Sequence, residues 1–201
     1  MLDWGIELSF RVDGETVVCG CDEAGRGPLC GPVVAAAVIL PEGLVIEGLD
    51  DSKKLSEKKR ELLYEKIRES CIDCAVGHAE VFEIEKYNIL NAAMLAMNRA
   101  VKKLRIKPDL VLADGNIVRG FDVRAVPVVK GDSLCPSIAA ASILAKVARD
   151  RLLDEHEKLF SGYGFGKHKG YATKAHREAI LSLGVSPVHR PCFLKKLLGE
   201  K

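Results

Sequence analysis

The sequence predicts an α/β protein with a mixed β-sheet. Short apolar segments bounded by Gly and Pro alternate with long stretches of helical periodicity. Six segments are strand-like: residues 5–12, 16–22, 32–40, 74–81, 110–115 and 123–129. The first three follow one another closely, which favours an antiparallel start to the sheet. The later ones are interspersed with helical stretches, so we expect a mixed sheet.

Three helices are expected among these strands. The first begins at Ser56, a good N-cap residue, and continues to about residue 69. The second covers residues 83–104 and has one apolar face at helical spacing. The third covers residues 138–160, with Pro136 expected in its first turn because proline is tolerated there.

Length and composition predict one functional domain. The chain has 201 residues, 48% of them hydrophobic, and a net charge of +2, so overall charge identifies no partner. A glycine-rich stretch divides a core, residues 1–160, from a small C-terminal helical element, residues 161–201, that we expect to pack on it. The seven cysteines are scattered, and no signal pattern or bilayer-spanning run is present. We therefore expect a reduced, cytoplasmic monomer that does not associate with a membrane.

Two adjacent carboxylates, Asp22 and Glu23, lie where a predicted strand ends and a glycine-rich turn begins. Neighbouring carboxylates repel each other, and a divalent cation relieves that repulsion. The turn that follows, Gly25-Arg26-Gly27, offers backbone amides that a ligand can approach closely, with one cation between them. An anionic metal site beside a cationic turn indicates phosphate chemistry.

Two further acids occur at comparable places. Asp114 ends an apolar strand, and Asp132 follows a strand and precedes the alanine-rich helix. Asp132 has a second interpretation as a helix cap, which the spacing alone leaves open. Four carboxylates on neighbouring elements suit a site for two Mg²⁺ or Mn²⁺ ions, since oxygen ligands favour these metals. Spacing does not show that the four side chains converge.

Basic residues are clustered in two regions. Residues 53–60 contain one run, which a solvated helix face explains equally well. Residues 163–177 interleave basic and aromatic side chains, which is more typical of nucleic-acid contact.

Seven blocks in this order resemble the type 2 ribonucleases H, the ribonuclease HII family. They are DEAGRGPL at 22–29, DSKKLS at 51–56, ADG at 113–115, KGD at 130–132, SIAAASILAKVARD at 137–150, KGYATKAH at 169–176 and SPVHRPCF at 186–193. The resemblance extends from about residue 19 to residue 193. It implies a ribonuclease H-like fold, in which helices flank a mixed five-stranded sheet. It also implies endonucleolytic cleavage of RNA in RNA–DNA hybrids, including removal of single ribonucleotides from duplex DNA.

The resemblance also implies the roles of individual residues. The catalytic and metal-binding acids would be Asp22, Glu23, Asp114 and Asp132, which favours catalysis over capping for Asp132. Gly25, Arg26, Gly27 and Tyr171 would recognise the junction between a ribonucleotide and DNA. Candidate contacts to the nucleic-acid backbone, which give affinity without base sequence, are Ser52, Lys53, Lys146 and Arg149. For Lys146 and Arg149, a solvated helix face is the alternative. His176 and His189 are assigned no chemistry.

Three other classes of protein share part of this sequence pattern. A type 3 ribonuclease H shares the fold, but its corresponding loop lacks the arginine found here as Arg26, and it carries an extra N-terminal domain. A non-catalytic hybrid-binding module has no need of four carboxylates near an anionic substrate. A proofreading-type exonuclease typically spaces its first two acids apart. Residues 192–198 are a weak candidate for docking a partner such as a sliding clamp, and a packed amphipathic helix is the favoured interpretation.

Overall fold

A mixed five-stranded sheet forms the centre of the molecule. The structure is a computed structural model that describes residues 2–199. Its strands are β1 (Val18–Ala24), β2 (Val33–Ile39), β3 (Asp73–Ala79), β4 (Leu110–Asp114) and β5 (Arg124–Val128). Their order in the sheet is β3-β2-β1-β4-β5. β2 is antiparallel to β1 and β3, whereas β4 is parallel to β1 and β5. The predicted fold class is confirmed.

Helices cover both faces of this sheet. In the described residues they are α1 (Trp4–Ser9), α2 (Glu57–Ser70), α3 (Val81–Lys103), α4 (Pro136–Leu159), α5 (Phe165–His168), α6 (Lys174–Leu183) and α7 (Pro191–Leu198). α3 packs on one face and α4 on the other, and all seven residues of β2 are buried between them. Burial on both faces explains why β2 is an unbroken apolar run in the sequence.

Two glycines let the long helices approach the sheet closely. A Cβ on Gly20 of β1 would lie 2.1 Å from the backbone carbon of Ser137 in α4. A Cβ on Gly77 of β3 would lie 2.4 Å from the carbonyl oxygen of Ala96 in α3. The close approach at Gly20 places the start of α4 directly over β1, whose C-terminal end carries the first acidic pair.

Residues 5–12 are not a strand, so that prediction is wrong. Residues 4–9 instead form helix α1. Asp3 caps the helix by accepting a hydrogen bond from the Gly5 amide. Glu7 is buried and accepts a hydrogen bond of 3.0 Å from the backbone amide of Ser137, near the start of α4. The local cap at Asp3 and the contact of Glu7 with a distant part of the chain together favour the helix.

The three predicted helices are present as α2, α3 and α4. Ser56 is the N-cap of α2, and Pro136 is the first residue of α4, as predicted. α3 is interrupted at Asn88, which has a left-handed backbone (φ 67°). The Asn88 side chain accepts hydrogen bonds from the amides of Leu90 and Asn91, so it caps the second half of the helix.

The C-terminal segment contacts the turn that follows β1. The Leu29 amide donates to the carbonyl of Gly170, and the Arg190 amide donates to the carbonyl of Leu29, each at 2.8 Å. In α7, Leu194 is fully buried beside Leu29 and Ile180. This packing supports the amphipathic-helix interpretation of residues 192–198.

Candidate active site

Three predicted acids converge at one edge of the sheet. Asp22 is near the end of β1 and Asp114 ends β4, and because these strands are parallel and adjacent their carboxyl ends coincide. Asp132 lies in a short 3-10 turn after β5. One carboxylate oxygen from each residue lies within 4.8 Å of those of the other two. The N-cap of α4 is Cys135, so the alternative role of Asp132 as the cap of that helix is excluded.

Glu23 faces the same cleft from a different position. One of its oxygens accepts a hydrogen bond of 3.1 Å from Arg26. Its other oxygen, Oε2, is buried and has no hydrogen-bond partner. An unpartnered buried carboxylate oxygen is costly unless a cation or water satisfies it. Glu23 therefore has a free ligand atom beside the three converging acids.

The electrostatics of the site favour a bound cation. Burial raises the pKa of Asp22 well above its usual range, and the charges of Glu23 and Asp114 raise it further. Burial also raises the pKa of Asp114, with a smaller contribution from Asp132. Such shifts mean that the ionised cluster is unfavourable without positive charge. The donors are all carboxylate oxygens, which fit Mg²⁺ or Mn²⁺.

Lys53 supplies one positive charge to the cluster. Asp51 caps the short turn that carries it, accepting a hydrogen bond from the Lys53 amide. The Lys53 ammonium lies 2.8 Å from Oδ2 of Asp132. Burial alone would lower the pKa of this ammonium, but the hydrogen bond and the charge of Asp132 outweigh burial and raise it. Its side chain is 73% exposed, so the same ammonium is accessible to a ligand.

A cleft of about 460 Å³ opens beside the acids. The predicted junction-reading residues line it together: Gly25, Arg26, Gly27 and Tyr171. The Tyr171 ring lies 3.9 Å from where a Cβ on Gly27 would be, and 49% of the residue is exposed. Gly25 has φ 99°, and a Cβ there would lie 2.1 Å from Arg149 Nε, so a side chain does not fit.

The backbone-contact candidates occupy three different environments. Ser52 is buried, and its hydroxyl lies 2.8 Å from that of Ser142. Lys146 lines the cleft, and its ammonium is 2.6 Å from Asp150 Oδ1. Arg149 also borders the cleft but is 1% exposed, so it is not on a solvated helix face, and its contact with the nucleic-acid backbone stays a prediction. Its guanidinium donates to the carbonyls of residues 30, 32 and 169.

The sequence did not predict the role of Arg190, whose side chain holds the glycine-rich turn by hydrogen bonds to its backbone carbonyls. Its fully buried guanidinium donates to carbonyls of Gly25 (2.7 Å), Arg26 (3.2 Å), Pro28 (2.8 Å), Gly31 (2.8 Å) and Pro32 (3.2 Å). Burial and the nearby Arg149 lower the pKa of Arg190 to about 9. The guanidinium draws these carbonyls inward. Its position within the SPVHRPCF block was the available signal, but that pattern does not reveal what the side chain contacts.

Ser142 was also missed. It lies in the alanine-rich part of α4, and its hydroxyl lowers the pKa of the nearby Asp22 carboxylate against the larger effect of burial. A serine among buried alanines was the signal, since a buried hydroxyl requires a partner.

Solved structures share this fold. The ribonuclease H2 of Pyrococcus horikoshii OT3 superposes with a TM-score of 0.73 at 26% identity, covering 90% of this chain and 97% of that one. The ribonuclease HII of Archaeoglobus fulgidus, solved in complex with PCNA, gives 0.72 at 29% identity, covering 88% and 94%. Fold and acid-lined cleft together define a hydrolase of the ribonuclease H type.

Sequence comparison identifies the family within that class. The family model described as Ribonuclease HII matches residues 19–196. A ribonuclease HII from Clostridioides difficile (strain 630) is 49% identical over 185 residues, which are 92% of this chain and 72% of the relative. The chain therefore belongs to the ribonuclease HII family, whose members are endoribonucleases. Of the helices in residues 2–199, none has the length and apolarity needed to cross a membrane.

Proposed function

We propose that this chain is a metal-dependent endonuclease that cuts the phosphodiester on the 5′ side of ribonucleotides in RNA–DNA hybrids. We include single ribonucleotides embedded in duplex DNA among its substrates. The observation that carries the proposal is that a carboxylate cluster and the pair Gly27 and Tyr171 share one cleft. The carboxylate cluster is suited to phosphodiester hydrolysis, and Gly27 with Tyr171 is suited to distinguishing a ribose from a deoxyribose.

The proposed metal ligands are Asp22, Glu23, Asp114 and Asp132. The orphaned Glu23 oxygen and the three oxygens within 4.8 Å support this set. Divalent cations, Mn²⁺ or Mg²⁺, would supply Lewis acidity for attack by water and for departure of the 3′ oxygen. Because water attacks rather than the ribose 2′-hydroxyl, the products are a 3′-hydroxyl and a 5′-phosphate.

The remaining cleft residues select and hold the substrate. The backbone of the Gly25–Gly27 turn can approach a 2′-hydroxyl closely, which is the group that separates RNA from DNA. Arg26, whose side chain is half exposed, holds a phosphate near the cut. The Tyr171 hydroxyl bonds to the same 2′-hydroxyl, and its ring packs on the next sugar, where a deoxyribose fits better than a ribose.

Contacts outside the junction provide affinity without base specificity. Lys53 and Lys146 line the cleft and carry ammonium groups suited to phosphates. Ser52 also lines it, but its hydroxyl is engaged with Ser142, so we assign it a supporting position beneath Lys53. We propose a cytoplasmic monomer acting on ribonucleotide-containing duplexes.

The test is cleavage of a labelled DNA duplex that contains one ribonucleotide, with Mn²⁺, with Mg²⁺ and with chelator. An all-DNA duplex and a long RNA–DNA hybrid serve as controls. We expect metal-dependent cutting 5′ of the ribonucleotide, leaving a 3′-hydroxyl. Cutting of the long hybrid alone would remove the junction-reading part of the proposal, and tight binding without cutting would favour a non-catalytic module.

A further inference from the structure

Three histidines, two of them buried, lie beneath the segment that carries Tyr171. The His168 and His176 rings stack with centroids 4.1 Å apart, and Nε2 of His176 is 3.1 Å from Nε2 of His189. His176 is fully buried and His189 is 2% exposed. The edge of the Phe165 ring meets the His176 ring with centroids 5.6 Å apart, so an aromatic cluster encloses this group.

The hydrogen bonds determine the protonation of His189. Its Nδ1 accepts from the Ser186 amide at 3.0 Å, and the Ser186 hydroxyl lies 2.7 Å from the same nitrogen. A nitrogen that accepts from an amide carries no proton in the neutral ring. The His189 proton is therefore on Nε2, from which it is donated to His176.

The same direction of hydrogen-bond donation continues from His176 to Tyr171. Because Nε2 of His176 accepts from His189, its own proton is on Nδ1. That nitrogen lies 2.9 Å from the carbonyl oxygen of Tyr171 and donates to it. The chain of hydrogen bonds runs from Ser186 through both histidines and ends on the backbone of Tyr171.

His168 holds the other side of the same segment. Its Nδ1 accepts from the Gly170 amide at 3.1 Å, and its Nε2 donates to the Tyr163 carbonyl at 2.8 Å. The Tyr171 amide in turn donates to the His168 carbonyl at 2.9 Å. The amide and the carbonyl of Tyr171 are thus both fixed by this histidine group.

We propose that His176 and His189 are positioning residues for ribonucleotide recognition, holding the Tyr171 backbone so that its ring stays against Gly27. The inference rests on the proposed role of Tyr171 at the junction. The hydrogen bonds from Ser186 through His189 and His176 to Tyr171 must all point the same way. If any one of them were reversed, two donors or two acceptors would face each other. The two histidines act through Tyr171 and do not touch the substrate.

A packing role alone makes a different prediction from a directed hydrogen-bond chain. Asparagine can place an amide N–H near the position of histidine Nδ1, whereas glutamine reaches only the position of Nε2. His176→Asn therefore keeps the bond to the Tyr171 carbonyl, and His176→Gln loses it. If the ring only fills space, both variants should behave alike.

The first measurement is ¹⁵N NMR of the histidine rings in the whole protein, which reports tautomers without requiring activity. We expect the Nδ1–H form for His176 and the Nε2–H form for His168 and His189. The chemical shifts of the Tyr171 ring should stay at their wild-type values in His176→Asn. In His176→Gln they should move toward the values of a freely moving tyrosine, because the ring is no longer held against Gly27. An Nε2–H tautomer at His176, or equal Tyr171 shifts in both variants, overturns the proposal.

The second measurement is the ratio of cleavage rates on a single-ribonucleotide duplex and on a long hybrid. We expect this ratio to fall at least about tenfold in His176→Gln and to stay within about twofold of wild type in His176→Asn. An equal loss on both substrates in both variants contradicts the inference. If the wild-type protein itself has no junction preference, the junction-reading part of the proposed function fails, and the Tyr171 resonances still decide whether the hydrogen-bond chain positions that residue.

Discussion

The ammonium of Lys53 lies 2.8 Å from Oδ2 of Asp132, so a lysine supplies positive charge to the acid cluster. The same side chain is 3.8 Å from Asp51 and is largely exposed. It is placed to balance the acids from outside and to contact an approaching phosphate. A metal ion and this ammonium are both positively charged, so the ammonium should weaken metal binding at the acids.

Lys53→Met is expected to tighten Mn²⁺ binding about fivefold, because removing a nearby cation relieves repulsion of the metal. The KM for a hybrid substrate should rise, since a phosphate contact is lost. Calorimetric titration with Mn²⁺ measures the first effect. Lys54→Met is the matched control, because that ammonium pairs with Asp50 instead. Unchanged Mn²⁺ affinity in Lys53→Met would show that the ammonium does not oppose metal binding.

Asp22→Asn should reduce cleavage at least about a thousandfold while substrate binding is retained. In chelator at neutral pH, the same variant should melt about 3 °C higher or more, because it removes a buried charge whose pKa is raised. Activity assays and thermal melts test the two effects, with the exposed Asp13→Asn as control. An active Asp22→Asn protein would mean that the metal-site assignment is wrong.

Tyr171→Ala should slow cleavage of single-ribonucleotide duplexes about tenfold more than cleavage of long hybrids, because both hydroxyl and ring are lost at the junction. Tyr171→Phe should show part of this effect, since it keeps the ring. Parallel rate measurements on the two substrates provide the comparison. Equal losses on both would remove Tyr171 from junction recognition.

Arg190→Lys is expected to lower the free energy of unfolding by about 3 kcal/mol, since an ammonium with three donors cannot replace a fork bonded to five carbonyl oxygens. Chemical denaturation measures this change. The control is Arg177→Lys on the exposed face of α6. A loss as small as that of the control would show that the glycine-rich turn does not depend on this guanidinium.

Stability should fall between pH 6.5 and about 4. Burial, aided by the charge of His176, lowers the pKa of His189 from 6.5 to about 4 in the folded protein. Below pH 6.5 the unfolded chain binds a proton that the folded chain excludes, so acid favours unfolding. Urea titrations across this range should give a steeper pH dependence for wild type than for His189→Gln. Parallel curves would show that His189 contributes nothing to acid sensitivity.

Local pattern was sufficient for the strands of the core and for the acids at their ends. Asp114 could be placed at a sheet edge because an apolar strand stops there, and the parallel pairing of β1 and β4 then brings it to Asp22. The same reasoning failed for residues 5–12, where a strand is predicted and helix α1 is found. Contacts made by Glu7 with a residue 130 positions away determine that structure, and no local window contains them.

The presence of a basic residue in the sequence did not by itself predict whether its side chain is accessible to a substrate. Lys146 and Arg149 are both basic residues of α4 that border the cleft, yet the Lys146 ammonium is partly exposed, whereas the Arg149 guanidinium is buried beneath the turn. Which helix face meets the loop depends on how residues 25–32 fold back over α4, and the sequence does not show this. Likewise, His176 and His189 are 13 positions apart, and only the folded chain reveals their hydrogen bond.

The bond between Arg190 and the Gly25 carbonyl joins residues 165 positions apart. During synthesis the ribosome releases the glycine-rich turn long before it releases the arginine that closes it. Asp114 and Asp132 also emerge well after Asp22. A nascent chain therefore has neither a finished turn nor a complete set of acids. The closed turn can form only once nearly all of the sequence, through Arg190, has been translated.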